Sequence, residues 1–294
     1  MDDLQRDAES LLTKTPLSDG LDRRDFIKVA LGTGFAVAAM PVVAQNVIKT
    51  DTAGLTAGTI MLDVAGQAVP VYRAQPEGKT NLPVVLVISE IFGVHEHIAD
   101  VARRFAKLGY LALAPDLFVR QGDPQKAASI AELQRDIISR TPDAQVMTDL
   151  DALVAWAKAN NGNPDKIAIT GFCWGGRVTW LYAAHNPAIK AGVAWYGRLV
   201  GTTSVNTPRH PVDIAPSLTV PVLGLYGLKD TGIPQESIEA MKAALAKGPN
   251  KSTFVVYPNS GHAFNADYRP SYVEADAKDG WGRTLAWFKQ NGVA

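Results

Sequence analysis

The sequence predicts an α/β fold with a mostly parallel, doubly wound sheet and helices on both faces. Three observations carry that reading. Continuous apolar runs such as Pro83-Val84-Val85-Leu86-Val87-Ile88 have the character of strands buried on both faces. Segments of helical period separate them; the clearest places Ile98, Val101, Ala102, Phe105 and Leu108 on one side. The two kinds of segment alternate through one continuous stretch, the pattern of a sheet wound by crossover helices.

Each element follows in order. Residues 60–64 and 68–72 are short apolar runs flanking Ala65-Gly66-Gln67, a hairpin that leads into the sheet. Pro70 suits an edge position there. After the strand at 83–88 a helix spans about 98–108 and is stopped by Gly109. Residues 110–114 form the next strand, ended by Pro115. Residues 116–145 are polar and irregular, with one helix over 124–139, and are placed to lie over the strand ends as a lid. A helix over 144–159 leads into the strand 167–170. Then come a helix from about 174, the strand 191–196, a loop 197–218 and the strand 220–226. A helix near 234–247, the strand 253–257 and a closing helix at 272–289 complete the chain.

The amino terminus reads differently. Arg23-Arg24-Asp25-Phe26-Ile27-Lys28 precedes an uncharged stretch from Val29 to Ile48. This resembles a twin-arginine export signal, with a cleavage site after Ala44. Gly32, Gly34 and Pro41 make the stretch a poor membrane span. The expected organisation is a signal segment over 1–44, a linker over 45–58 and a catalytic body over 59–294. The expected location is the periplasm, reached through the export machinery; a leader retained in the cytoplasm is the alternative.

Composition excludes several function classes. Lys and Arg together number 29, as do Asp and Glu, so the net charge is +0 and nucleic acid is not an expected partner. A single cysteine allows no internal disulfide and no cysteine-based metal site. The five histidines show no zinc-ligand spacing; His95 and His97 flank Glu96 at i,i+2, which does not share a helix face. No phosphate-cradling or dinucleotide motif is present, so no cofactor is expected.

The one cysteine stands in Gly171-Phe172-Cys173-Trp174-Gly175-Gly176, directly after the apolar strand 167–170. G-x-S-x-G between a strand and a helix is the nucleophile elbow of α/β-hydrolases, here with Cys in place of Ser. The flanking glycines let strand and helix pass close to the strained turn. A thiol needs a base, and the base an orienting acid. In this fold the chain order is nucleophile, acid, histidine. Asp230 follows the strand 220–226, and His262 follows the strand 253–257. By itself Asp230 has the look of a helix cap ahead of Pro234; the ordered set of three points to a triad. Glu90 follows the strand 83–88, at a rim where a carboxylate can serve as second proton acceptor. His185 and His210 are read as surface or loop residues.

With these residues in view, the chain resembles the dienelactone hydrolase family, the carboxymethylenebutenolidases, over about residues 60–290. The likeness is carried by Glu90-Ile91-Phe92-Gly93, Pro115-Asp116-Leu117-Phe118, the Cys173 elbow, the Asp230 turn and Gly261-His262-Ala263-Phe264. The resemblance implies an ester or lactone hydrolase in which Cys173 attacks, His262 is the base and Asp230 orients it. Glu90 would hold or deprotonate the resting thiol. The backbone N–H groups of Ile91 and Trp174 would form the oxyanion hole, and Phe92, Tyr196, Phe264 and Arg269 are candidate substrate contacts. Members acting on dienelactone grip its carboxylate with arginines, one of them shortly after the histidine. Here Ala263, Phe264, Asn265 and Ala266 hold those near positions. Arg269 lies farther along, and the assignment of Arg269, Arg120 or Arg135 to that grip stays open. The alternatives are a general carboxylesterase or thioesterase of the same fold, and a non-catalytic exported scaffold.

Overall fold

A computed structural model describes residues 47–294; the leader read over 1–44 lies outside the described residues. Eight strands form one sheet in the order β1-β2-β4-β3-β5-β6-β7-β8. They are β1 (Leu55–Val64), β2 (Gln67–Pro76), β3 (Leu82–Ile88), β4 (Leu111–Pro115), β5 (Gly162–Phe172), β6 (Ile189–Trp195), β7 (Val222–Gly227) and β8 (Thr253–Tyr257). β1 and β2 are antiparallel, as are β2 and β4; every other neighbouring pair is parallel. This is the α/β-hydrolase fold, with the hairpin at one edge of the sheet.

The buried strands justify the apolar runs. All residues of β4 and β7 are buried, as are six of the seven in β3. The helices are α1 (Glu96–Lys107), α2 (Ile130–Asp136), α3 (Asp143–Ala159), α4 (Trp174–His185), α5 (Pro211–Ile214), α6 (Gln235–Leu245) and α7 (Glu274–Gln290). Phe105 of α1 packs on Trp281 and Phe288 of α7, with ring centroids 4.5 and 6.1 Å apart. α3 and α4 pack on each other and on β5. Among the described residues no helix is long and apolar enough to cross a membrane.

Three segments depart from the expectation. β1 begins at Leu55, inside the stretch read as linker. The residues before it are stitched to the body: Ile48 N–H donates to Asp267 Oδ2 at 3.3 Å, Thr50 N–H donates to Asp100, and Arg103 Nε donates to Thr50 O at 2.7 Å. Small polar residues look like a linker in sequence, yet backbone groups can be anchored without any side-chain signature. The helix expected over 124–139 is reduced to α2, flanked by single 3-10 turns at Pro124–Lys126 and Ile138–Arg140. The loop 197–218 contains α5 and a further 3-10 turn at Ala215–Ser217.

Candidate active site

Cys173 lies between β5 and α4 with φ 55° and ψ −115°, a conformation that non-glycine residues rarely adopt. The surroundings impose it. A Cβ on Gly171 would sit 2.2 Å from Gly175 O, and one on Gly175 would sit 2.4 Å from Ile88 O. The elbow glycines are therefore required by close backbone approach, not by flexibility. Cys173 N–H donates to Trp195 O at 3.0 Å and ties the turn to β6.

Asp230 and His262 come from the ends of β7 and β8. His262 Nδ1 lies 2.7 Å from Asp230 Oδ2, and both side chains are buried. Asp230 Oδ1 accepts from the N–H groups of Gly232 at 2.9 Å and Ile233 at 3.2 Å, so its orientation is fixed by its own turn. Burial opposes a charge on His262, but the charges of Asp230 and Cys173 outweigh it and hold the imidazole well above its ordinary range. Its Nε2 has no hydrogen-bond partner, and the ring feels the charge of Cys173.

Glu90 is buried at the end of β3. Burial alone would push its carboxyl up. Arg269, His95 and Tyr268 reverse that and hold it well below the usual carboxylate range. Tyr268 Oη donates to Glu90 Oε2 at 2.7 Å, Arg269 Nε donates to Tyr268 Oη at 3.0 Å, and Arg269 Nη2 lies 3.8 Å from the same carboxylate oxygen. Glu90 Oε1 is left without a partner.

Cys173, His262, Ile91, Trp174 and Tyr196 line one cleft of about 270 Å³. Trp174 is the first residue of α4, so its N–H has no intrahelical partner and is available to an oxyanion. Two polar stretches of chain wall the cleft further: Gln134, Ser139, Thr141 and Asp143 from one, and Arg198, Thr202, Ser204 and His210 among those from the other. The walls are joined. Arg177 makes two 2.7 Å bonds to Asp143 and donates to Arg209 O at 2.8 Å. Asn206 donates to Ser139 O at 2.8 Å, and Asp143 N–H donates to Asn206 O at 2.8 Å.

Of the four candidate substrate contacts, Tyr196 lines this cleft, while Phe92, Phe264 and Arg269 do not. Phe92 belongs to a separate apolar cluster with Phe118 and Leu133. Phe264 is fully buried against Tyr196, Trp195 and Tyr257. Arg269 is turned inward by Glu90 and lies 4.7 Å over the Phe92 ring. Arg120 is also engaged, in a bidentate pair with buried Asp149 at 2.7 and 2.8 Å. Arg135 pairs with its neighbour Asp136 on the surface. His185 is exposed and pairs with Asp151, whereas His210, read as a surface or loop residue, is buried in the cleft wall. Sequence reasoning missed Tyr268 and His95 beside Glu90; the carboxylate's burial is what brings them together. Among the described residues no group of three or more His, Cys, Asp or Glu could hold a metal ion.

The model of the dienelactone hydrolase family matches residues 69–292. The chain belongs to the dienelactone hydrolase family. It is 55% identical over 290 residues to a candidate carboxymethylenebutenolidase of Methylorubrum extorquens strain AM1, covering 98% of each chain. It is 30% identical over 226 residues to a candidate 2-oxo-3-(5-oxofuran-2-ylidene)propanoate lactonase of a Bradyrhizobium species, covering 76% of this chain and 90% of that one. The crystal structure of a candidate dienelactone hydrolase from Klebsiella pneumoniae superposes with a TM-score of 0.79 at 55% identity, over 80% of this chain and 99% of that one. Membership makes the protein a carboxylic ester hydrolase.

Proposed function

We propose that this family member cleaves a small ester or lactone by cysteine-dependent acyl transfer to water, with Cys173, His262 and Asp230 as its triad. The observation that carries the reading is one cleft in which a strained elbow thiol meets a buried imidazole oriented by a buried carboxylate. The Cys173 Sγ–H proton passes to His262 Nε2, whose hold on it the neighbouring charges strengthen, and the sulfur then attacks the carbonyl carbon. The developing oxyanion is held by the N–H groups of Ile91 and Trp174, each essential donor being worth about 3–4 kcal/mol in comparable sites. His262 returns the proton to the leaving alkoxide, which departs and leaves a thioester. The imidazole then takes a proton from water, whose hydroxide attacks the thioester and releases the acid and the thiol. Glu90, kept ionised by Arg269, stands as second acceptor for the resting thiol.

The Bradyrhizobium relative supports a lactone as substrate. The inward engagement of Arg269 and Arg120 supports a second reading, a general carboxylester without a carboxylate of its own. Hydrolysis of an activated aryl ester and of a dienelactone, by the wild type and by Cys173→Ala, tests both. Activity lost in the variant is expected, and the ratio of the two substrates decides between the readings. Equal activity in the variant refutes the thioester route. We further propose export through the leader at 1–44; fusion of that segment to a reporter that works only in the periplasm checks it.

A further inference from the structure

Several buried polar side-chain atoms at this site make no hydrogen bond: Glu90 Oε1, His262 Nε2 and Tyr196 Oη, and, in the cleft walls, Gln134 Oε1, Arg177 Nε and His210 Nδ1. Unsatisfied buried groups are uncommon in folded proteins, and a catalytic role is one of the explanations for them. The proposed chemistry gives the first two a partner in the thiol. It gives none to Tyr196.

Tyr196 is held where it is at a cost. It follows the last residue of β6 with φ 38°, a region tyrosine seldom enters, and its N–H donates to Leu225 O at 2.8 Å. Its ring packs on His262 at 5.1 Å and on Phe264 at 5.3 Å, and it lines the cleft beside Cys173. Burial first, then the nearby Glu90, Tyr268 and Cys173, push its phenol well above the ordinary value, against the pull of Arg269. The hydroxyl therefore stays protonated and acts as a donor. In the resting protein it bonds neither Glu90 Oε1 nor Tyr268 Oη, and Arg269 offers no acceptor. His262 Nδ1 is taken by Asp230. A negatively charged sulfur is an acceptor that the cleft gains when Cys173 ionises, before any oxyanion forms there.

We propose that the Tyr196 hydroxyl donates a hydrogen bond to the Cys173 sulfur once the thiol has ionised, which makes it a further catalytic residue. The proposal rests on Cys173 being the nucleophile. The Sγ–H bond breaks and its proton goes to His262; the Tyr196 O–H bond stays intact. A donor to the charged form favours that form, so the thiolate persists to lower pH than it would without the hydroxyl.

The test is the pH dependence of Cys173 alkylation by iodoacetamide, read together with thiolate absorbance near 240 nm, in the wild type and in Tyr196→Phe. Cys173→Ala supplies the blank, and Cys173 is the chain's one cysteine. Loss of one charge-assisted hydrogen bond should move the midpoint upward by about one pH unit, or slow alkylation about 10-fold on the acid limb. The melting temperature should stay level or rise, because the removed hydroxyl has no partner in the resting protein. 3-Fluorotyrosine at position 196, a stronger donor of nearly the same shape, should move the midpoint downward. A midpoint unchanged in both substitutions overturns the proposal. A lowered melting temperature with the midpoint unmoved also overturns it and makes the hydroxyl structural. Ester hydrolysis that survives in Cys173→Ala refutes the nucleophile reading instead, while the thiol titration still reports on the hydrogen bond.

Discussion

Replacing Asp230 with Asn removes one charge from the site and almost no volume. Oδ1 can still accept from Gly232 and Ile233, so the turn and the fold should survive. What changes is the 2.7 Å contact with His262 Nδ1. A hydrogen bond to a charged group contributes about 1.5–3 kcal/mol, and at about 1.4 kcal/mol per decade its loss alone slows turnover about 10- to 150-fold. The amide also donates where the carboxylate accepted. That turns the imidazole to the tautomer with its proton on Nε2, facing the thiol, where it cannot take a second proton. In Ser-His-Asp enzymes such an exchange lowers kcat by about 10⁴-fold. A fall in kcat of about 10²- to 10⁴-fold is therefore expected, with KM changed little. The assay is steady-state hydrolysis of an aryl ester from pH 5 to 9, with thermal melting as control. A folded variant within about threefold of the wild-type kcat would refute the triad.

Three further outcomes follow from the same geometry. Arg269→Met leaves Glu90 buried without its cation, which should cost about 3 kcal/mol near neutral pH. In the wild type the depressed Glu90 contributes stability above the ordinary carboxylate range, and this is lost as pH falls through its folded value. In the variant burial dominates and raises the group, so stability should fall as pH rises; denaturant titrations at pH 4 and 7 check the reversal. Gly171→Ala would drive a Cβ to 2.2 Å from Gly175 O, backbone that cannot swing aside, and should cost about 3 kcal/mol or prevent folding. Solubility and chemical melts report it; near-wild-type stability would mean the elbow is looser than its contacts imply. Asn206→Ala removes the side-chain bond to Ser139 O that joins the two cleft walls. Esters of longer acids should gain kcat/KM relative to acetate, and an unchanged chain-length profile would show that this bond does not limit the cleft.

Much of the scaffold was legible because periodicity reports burial directly. β3, β4 and β7 are continuous apolar runs, and they are buried almost throughout. The elbow was legible through glycines whose missing side chains are a steric demand, and Asp230 and His262 through their places after β7 and β8. The cleft walls were not. Asp143 N–H, Asn206 O, Ser139 O and Arg209 O are bonded there as backbone groups, which leave no trace in a pattern of polar residues. His210 reads as a surface or loop residue because its segment does not follow a late strand, yet at the start of α5 it is buried in the cleft wall. Tyr268 reaches Glu90 across 178 positions of chain, a pairing that no local period encodes.

The stitching of residues 48–50 would also constrain the proposed removal of the leader. Ile48 and Thr50 are held by Asp267, Asp100 and Arg103, and Asp267 directly precedes the Tyr268-Arg269 pair that holds Glu90. A signal peptidase cutting after Ala44 would leave those contacts whole, with three residues to spare before Ile48. A cut only a few residues later would strip a lashing from the loop that keeps the buried carboxylate in place. Under the proposed cleavage, the margin between trimming and damage would be about one helical turn's worth of residues.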